Sequence, residues 1–89
     1  MVTVKILSLG SAERYSLRRL VVSVQQELLS QNPNLEIWIA EVSDASEIGR
    51  HANVLVLPTL VIDEKVVCSG RFPTREEVVD WLGEALHAH

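Results

Sequence analysis

The sequence predicts a small α/β domain built on a central four-stranded mixed sheet. Three observations carry this. Val2 to Leu9 is an aliphatic, β-branched run followed at once by a long amphipathic helical pattern and a second strand-like run. A short apolar run ending in Pro58 leads into two strand-like runs separated only by Asp63-Glu64. A last helical pattern opens on Thr74-Arg75-Glu76-Glu77. The expected order is βαβ, a short helix, a β-hairpin and a C-terminal helix, in one domain over residues 1–89. The chain of 89 residues has room for one such core and no more.

In the first strand Val2, Val4 and Ile6 alternate with Thr3, Lys5 and Leu7, and both faces are apolar by its end. That pattern belongs to a strand covered on both sides. The turn Leu9-Gly10-Ser11 follows, with Ser11 standing where an N-cap is expected. Leu17, Leu20, Val21, Val24 and Leu28 make one apolar stripe, so the helix buries that face. It must stop before Asn32-Pro33-Asn34, because a proline disfavours helix in the residue before it. Leu35 to Val42 reads as the second strand, and its Glu residues suggest a sheet edge. A strand–helix–strand unit of this size should be parallel.

Asp44-Ala45-Ser46-Glu47 has the form of a capping box, opening a short helix to about His51 with Ile48 as its apolar anchor. The run Val54-Leu55-Val56-Leu57 before Pro58 is expected to be core at alternate positions, with one or two residues exposed. Thr59 to Asp63 and Lys65 to Ser69 form the hairpin. Asp-Glu suits its turn poorly, because the favoured two-residue turn needs positive φ, so strain or a wider turn is expected there. Cys68 should share a face with Val66 and behave as a small buried hydrophobe. Val78, Leu82, Ala85 and Leu86 make the stripe of the last helix, flanked by Val79 and Trp81.

Composition narrows the functions. With two Trp, one Tyr and one Phe the core must be aliphatic. The net charge is -4 and no basic cluster stands out, so nucleic acid is not an expected partner. No apolar run approaches the ~20 residues a membrane helix needs, and no secretory signal is expected. A single cysteine excludes an internal disulfide and a Cys-rich zinc site, and a cytoplasmic setting fits best. His51, His87 and His89 are not spaced for a metal site, and no cofactor is implied.

This order of elements resembles the minimal thioredoxin fold, most closely the small thioredoxin- or glutaredoxin-like proteins of the redox-active disulfide type. The resemblance covers nearly the whole chain. Where that family runs its first strand into Gly-Cys-x-x-Cys, this chain has Gly10-Ser11-Ala12-Glu13-Arg14. Where the family has an apolar residue or Thr, a cis-proline and a hairpin, this chain has Leu57-Pro58-Thr59-Leu60-Val61-Ile62-Asp63. Gly70-Arg71 and the capped last helix complete the match. The resemblance implies a cis-Pro58 facing the Gly10–Arg14 turn, and a groove in which backbone beside that proline pairs with an extended peptide.

Ser11 and Arg14 stand in place of the attacking and resolving cysteines. Thiol–disulfide exchange requires a thiolate, which a serine hydroxyl cannot replace. Disulfide oxidoreductase activity is therefore not expected. The leading expectation is a redox-inactive module that binds a protein or peptide through Gly10, Ser11, Ala12, Arg14, Leu57, Pro58, Gly70 and Arg71. Arg14 and the N–H groups of Gly10, Ser11 and Ala12 form a candidate grip for an anionic group of the partner. The alternative is thiol chemistry through the lone Cys68. A regulatory domain similar to the thioredoxin-like circadian-clock proteins ranks below both, because the hairpin and last helix keep the regular pattern. Trp38, on an edge strand, admits a homodimer.

Overall fold

The structure, a computed structural model, describes residues 1–44, 46, 48 and 58–87. Its elements are β1 (Val2–Leu7), α1 (Ser11–Gln31), β2 (Ile37–Val42), β3 (Thr59–Ile62), β4 (Lys65–Ser69) and α2 (Arg75–His87). The sheet order is β2-β1-β3-β4. Strand β1 runs parallel to β2 and antiparallel to β3, and β3 runs antiparallel to β4. The expected α/β architecture, a mixed four-stranded sheet with an edge at β2, is the one observed.

The apolar stripes explain how the layers meet. Val2, Val4 and Ile6 of β1, Leu60 and Ile62 of β3 and Cys68 of β4 share one buried cluster with Leu17, Val21 and Val24 of α1 and Val78 and Leu82 of α2. Both helices therefore lie on that face of the sheet. Leu20, Leu28, Trp81, Ala85 and Leu86 pack half-buried at its margin. A second, smaller cluster of Leu7, Val42, Val61 and Ile48 lies on the opposite face. That is why β1 becomes apolar on both sides only near its end.

Several boundaries move for local reasons. Strand β2 begins at Ile37 rather than Leu35, because the Leu35 N–H donates to the Asn32 carbonyl at 3.2 Å and is part of the turn. Helix α1 stops at Gln31, where the Asn32 N–H caps it on the Leu28 carbonyl at 2.9 Å. After β2, the Asp44 carboxylate accepts from the Ser46 N–H at 2.7 Å, and the Asp44 carbonyl accepts from the Ile48 N–H at 2.9 Å. Those bonds are of the kind that start a helix, and Ile48 is buried; the rest of the expected short helix lies outside the described residues. Glu47, His51 and the run Val54–Leu57 lie outside the described residues.

One expectation is overturned. Cys68 and Val66 do not share a face. Leu60 is opposite Cys68 while Val61 is opposite Val66, with a register shift between them. A bulge of this kind inserts one extra residue and reverses side-chain parity beyond it. Cys68 therefore points into the core, and Val66 lies on the other face, partly exposed.

The hairpin turn is a tight one, as its strained sequence makes notable. Ile62 pairs with Lys65, and the two residues between them have φ of 49° (Asp63) and 66° (Glu64). Left-handed backbone is unfavourable for residues with a Cβ, less so for Asp. Side chains hold it in place. The Asp63 carboxylate accepts from the Thr3 N–H at 2.9 Å, its own N–H donates to the Thr3 carbonyl at 2.8 Å, and Glu64 pairs with Lys5 at 2.9 Å. The exposed Lys5 pair is worth at most ~1 kcal/mol. The expected outcome is opposite signs at adjacent positions. Glu64→Gly relieves ~1–2 kcal/mol of left-handed strain and gives up the exposed Lys5 pair of ~0.2–1 kcal/mol, so the melting temperature rises modestly. Asp63→Ala leaves the Thr3 N–H without its acceptor and lowers stability by ~1–3 kcal/mol. Thermal unfolding of the two variants checks this.

Candidate functional site

Register brings the expected site residues to one end of the sheet. Leu7 is opposite Val42 on one side and Thr59 on the other, and Thr59 is opposite Ser69. The next residues out, Ser8, Pro58 and Gly70, therefore lie together. The Gly70 N–H donates to the Pro58 carbonyl at 3.0 Å, and the Ser8 N–H donates to the Val42 carbonyl at 3.2 Å. Gly70 has φ of 83°, a conformation that favours glycine as the chain leaves β4. Pro58 is buried. The peptide bond before it joins Leu57, so both Leu57 and the expected cis geometry lie outside the described residues.

Helix α1 starts at this end, but Ser11 is not its cap. Gly10 is the N-cap: its backbone is extended, with φ -84° and ψ 125°, and its carbonyl accepts the Arg14 N–H at 3.1 Å. No side chain of the cap residue bonds the first turn, and Ser11 is exposed. Capping falls instead to the fully buried Ser8. Its hydroxyl accepts from the Gly10 N–H at 3.2 Å and donates to the Glu13 carboxylate at 3.1 Å. Glu13 also places a negative charge in the first turn, where the helix dipole favours it. The spacing Ser8…Glu13 is not that of the usual capping box, so pattern matching passes it by.

Arg14 is committed to its own chain. Its Nη1 donates to the carbonyls of Ser8 (3.0 Å) and Leu9 (3.2 Å), and its Nε lies 4.0 Å from Glu41. The side chain is only 19% exposed. With the Gly10 N–H also engaged, the anion grip expected from Arg14 and Gly10 is not formed. The guanidinium thus satisfies two carbonyls that the turn leaves outside the sheet and helix ladders. The N–H groups of Ser11 and Ala12 remain first-turn donors without an intrahelical acceptor.

Arg71 is likewise paired. It meets Glu77 through two bonds, Nη1 at 2.8 Å and Nη2 at 2.7 Å. The Glu77 N–H takes the Thr74 hydroxyl at 3.1 Å, and the Thr74 N–H takes the Glu77 carboxylate at 3.0 Å. This is the reciprocal capping box the sequence predicts, with the connector arginine added. The Arg71 bonds, then the Thr74 N–H, hold the Glu77 carboxyl down at about 2, and the same pair raises the Arg71 pKa.

Cys68 is 5% exposed, and its thiol donates to the Arg71 carbonyl at 3.3 Å. Burial pushes its pKa up, with Arg71 pulling it down less strongly and Glu77 adding to the rise. A raised pKa and a covered sulfur are the reverse of what a reactive cysteine needs. Among the described residues, no group of three or more His, Cys, Asp or Glu side chains is placed to hold a metal ion. Nor is any described helix long and apolar enough to cross a membrane.

Two residues at this end were not singled out by sequence reasoning. Leu9, two residues beyond β1, is 60% exposed, and Phe72, three beyond β4, is 48% exposed. The available signal was their position, an apolar side chain immediately before Gly10 and another two after Gly70.

Two measurements follow from this geometry. Ser8→Ala should cost ~1–2 kcal/mol in urea unfolding, while Ser11→Ala stays within about 0.5 kcal/mol of the natural chain; equal effects would return the cap to Ser11. For Glu77, a depressed carboxyl stabilises the fold fully above its unfolded value of ~4.3 and loses that contribution as pH falls toward its folded value. The difference in melting temperature between the natural chain and Glu77→Gln should be constant near neutrality. It should shrink between pH ~4.3 and the folded value of about 2. A difference independent of acid would remove the Arg71–Glu77 pair as its source.

A family model described as thioredoxin domain matches residues 2–83. No curated protein matches the sequence. The match spans every strand and both ends of the sheet, and it agrees with the four-stranded mixed sheet and with the resemblance read from the sequence. The chain belongs to the thioredoxin domain family.

Proposed function

We propose that this thioredoxin-like domain is a redox-inactive binding module that holds an extended peptide segment of a partner protein at the Ser8–Gly10, Pro58 and Gly70 end of the sheet. The observation that supports it most is the pair of exposed apolar side chains, Leu9 and Phe72, at the end where those backbone segments converge. Ser11 and Arg14 occupy the positions of the family's two cysteines, so the framework has no thiol to use there. Arg14 and Arg71 are internally paired, so recognition rests on apolar contact and backbone hydrogen bonds rather than on a free cation. The buried, pKa-raised Cys68 gives the alternative thiol chemistry no support. A reducing, cytoplasmic setting is compatible with this use of the fold.

The experiment is a titration of isotope-labelled protein with short extended peptides rich in alternating apolar residues, read by amide shift mapping. Shifts are expected at Leu9, Gly10, Gly70 and Phe72. The double variant Leu9→Asp, Phe72→Asp should weaken binding at least ~tenfold, about 1.4 kcal/mol. Shifts centred elsewhere, or unchanged affinity in that variant, would overturn the reading. Insulin-disulfide reduction should run at the buffer rate; turnover above it would restore Cys68 as a working thiol.

A further inference from the structure

We propose that the free edge of β2 pairs antiparallel with β2 of a second copy of this chain, joining two sheets into one of eight strands with Ala40 on the two-fold axis.

Backbone direction sets the available groups. The carbonyls of Glu36 and Val42 accept from Val2 and Ser8 at 2.9 and 3.2 Å, on the β1 side. Backbone groups alternate along a strand, so those of Trp38 and Ala40 face β1 as well. Those of Ile37, Ile39 and Glu41 face outward from the outer strand of the sheet. The Ile37 carbonyl is already covered, because Gln25 Nε2 donates to it at 2.9 Å. Among the described residues, Ile39 and Glu41 are left as the outward groups for a new strand.

Two-fold symmetry then fixes the register. An isologous antiparallel pair must bond outward residues to outward residues. Centring on Trp38 or Ile39 would set Ile37 against Ile39 or Glu41 and require the covered carbonyl. Centring on Glu41 would place like charges opposite one another. The remaining pairing sets Ile39 against Glu41 of the other copy, and reciprocally, with Ala40 facing Ala40. On the face opposite the two helices this places Trp38, 53% exposed, across from Val42, which is itself buried beside Leu7, Val61 and Ile48. The large indole sits beside the small Ala40, so each copy fills the space the other leaves.

Charge and the helix flank agree with this occupant. Arg18, Val22, Gln25 and Leu29 form one stripe along α1 at helical spacing. The stripe lies over β2, since Arg18 reaches Glu41 at 3.8 Å and Gln25 reaches Ile37. Val22 and Leu29 are half-buried and, among the described residues, are not part of the core cluster or its margin. The two-fold brings the two stripes side by side. It also gathers Arg18 and Glu41 from both copies, so two chains of net charge -4 meet across a seam of balanced sign.

Disulfide trapping tests the register. Mild oxidation of Ala40→Cys should give a covalent dimer, because facing residues of a non-hydrogen-bonded pair have Cα atoms ~4.5 Å apart. Trp38→Cys, more exposed but displaced from its own copy in this register, should stay unlinked. Sedimentation of the natural chain should give twice 9.9 kDa, shifting toward monomer by at least ~tenfold in dissociation constant for Trp38→Lys and for Val22→Glu. The Trp38 variant alone suffices if Val22→Glu unfolds, since Trp38 is exposed. A monomer at millimolar concentration overturns the proposal. So does equal cross-linking of the two cysteine variants, or protection of the Ile39 and Glu41 amides only when a different protein supplies the strand.

Discussion

Strand β1 has hydrogen-bonded neighbours on both sides, β2 in parallel and β3 in antiparallel, and it is the strand on which every other element takes its position. Its even residues are fully buried under both helices, and its last residue, Leu7, is fully buried on the opposite face. A strand so enclosed cannot slip by one residue without exposing one face and burying Thr3 and Lys5. Register is therefore fixed, and with it the place where the chain must turn out of the sheet. Ser8 is that place. It is polar and fully buried, and its hydroxyl and carbonyl are satisfied by Gly10, Glu13 and Arg14. Removing those partners would leave a buried polar group at the junction of strand and helix, which costs more than an exposed cap is worth.

What was legible in the sequence follows how local the cause is. The Thr74–Glu77 box, the Asn32 stop and the stripes of both helices depend on residues within a few positions of each other, and all appear where expected. The tight Asp63-Glu64 turn was legible as a misfit, but not its remedy, because the Thr3 N–H that receives Asp63 is sixty positions away. The bulge that parts Cys68 from Val66 was invisible. A regular alternation of side chains in Lys65–Ser69 gives no sign of the extra residue, which arises from pairing with β3.

The site shows the same division. The convergence of its backbone segments was legible, since a strand end, a proline and a glycine in a known order bring Ser8, Pro58 and Gly70 to one end of the sheet. The roles of its side chains were not. Ser11 occupies the position where composition favours an N-cap, yet the hydroxyl that caps is three residues earlier and buried. Arg14 read as part of an anion grip and Arg71 as a groove residue. Each instead has partners that sequence spacing alone does not reveal: carbonyls five and six residues back for Arg14, and the N3 glutamate of another helix for Arg71.

The arrangement around Gly10 also differs from the surroundings that activate a cysteine at a helix start. A thiolate at a helix N-terminus is stabilised by the dipole and by nearby cations. Here the first-turn anion is Glu13, held against Ser8. The nearest cation, Arg14, directs its guanidinium at two carbonyls and toward Glu41 rather than at solvent. Arg14 ties the turn to the end of β1 and, through Glu41, to β2. The turn is consequently braced by side-chain contacts, to the carbonyls of Ser8 and Leu9 and toward the Glu41 carboxylate.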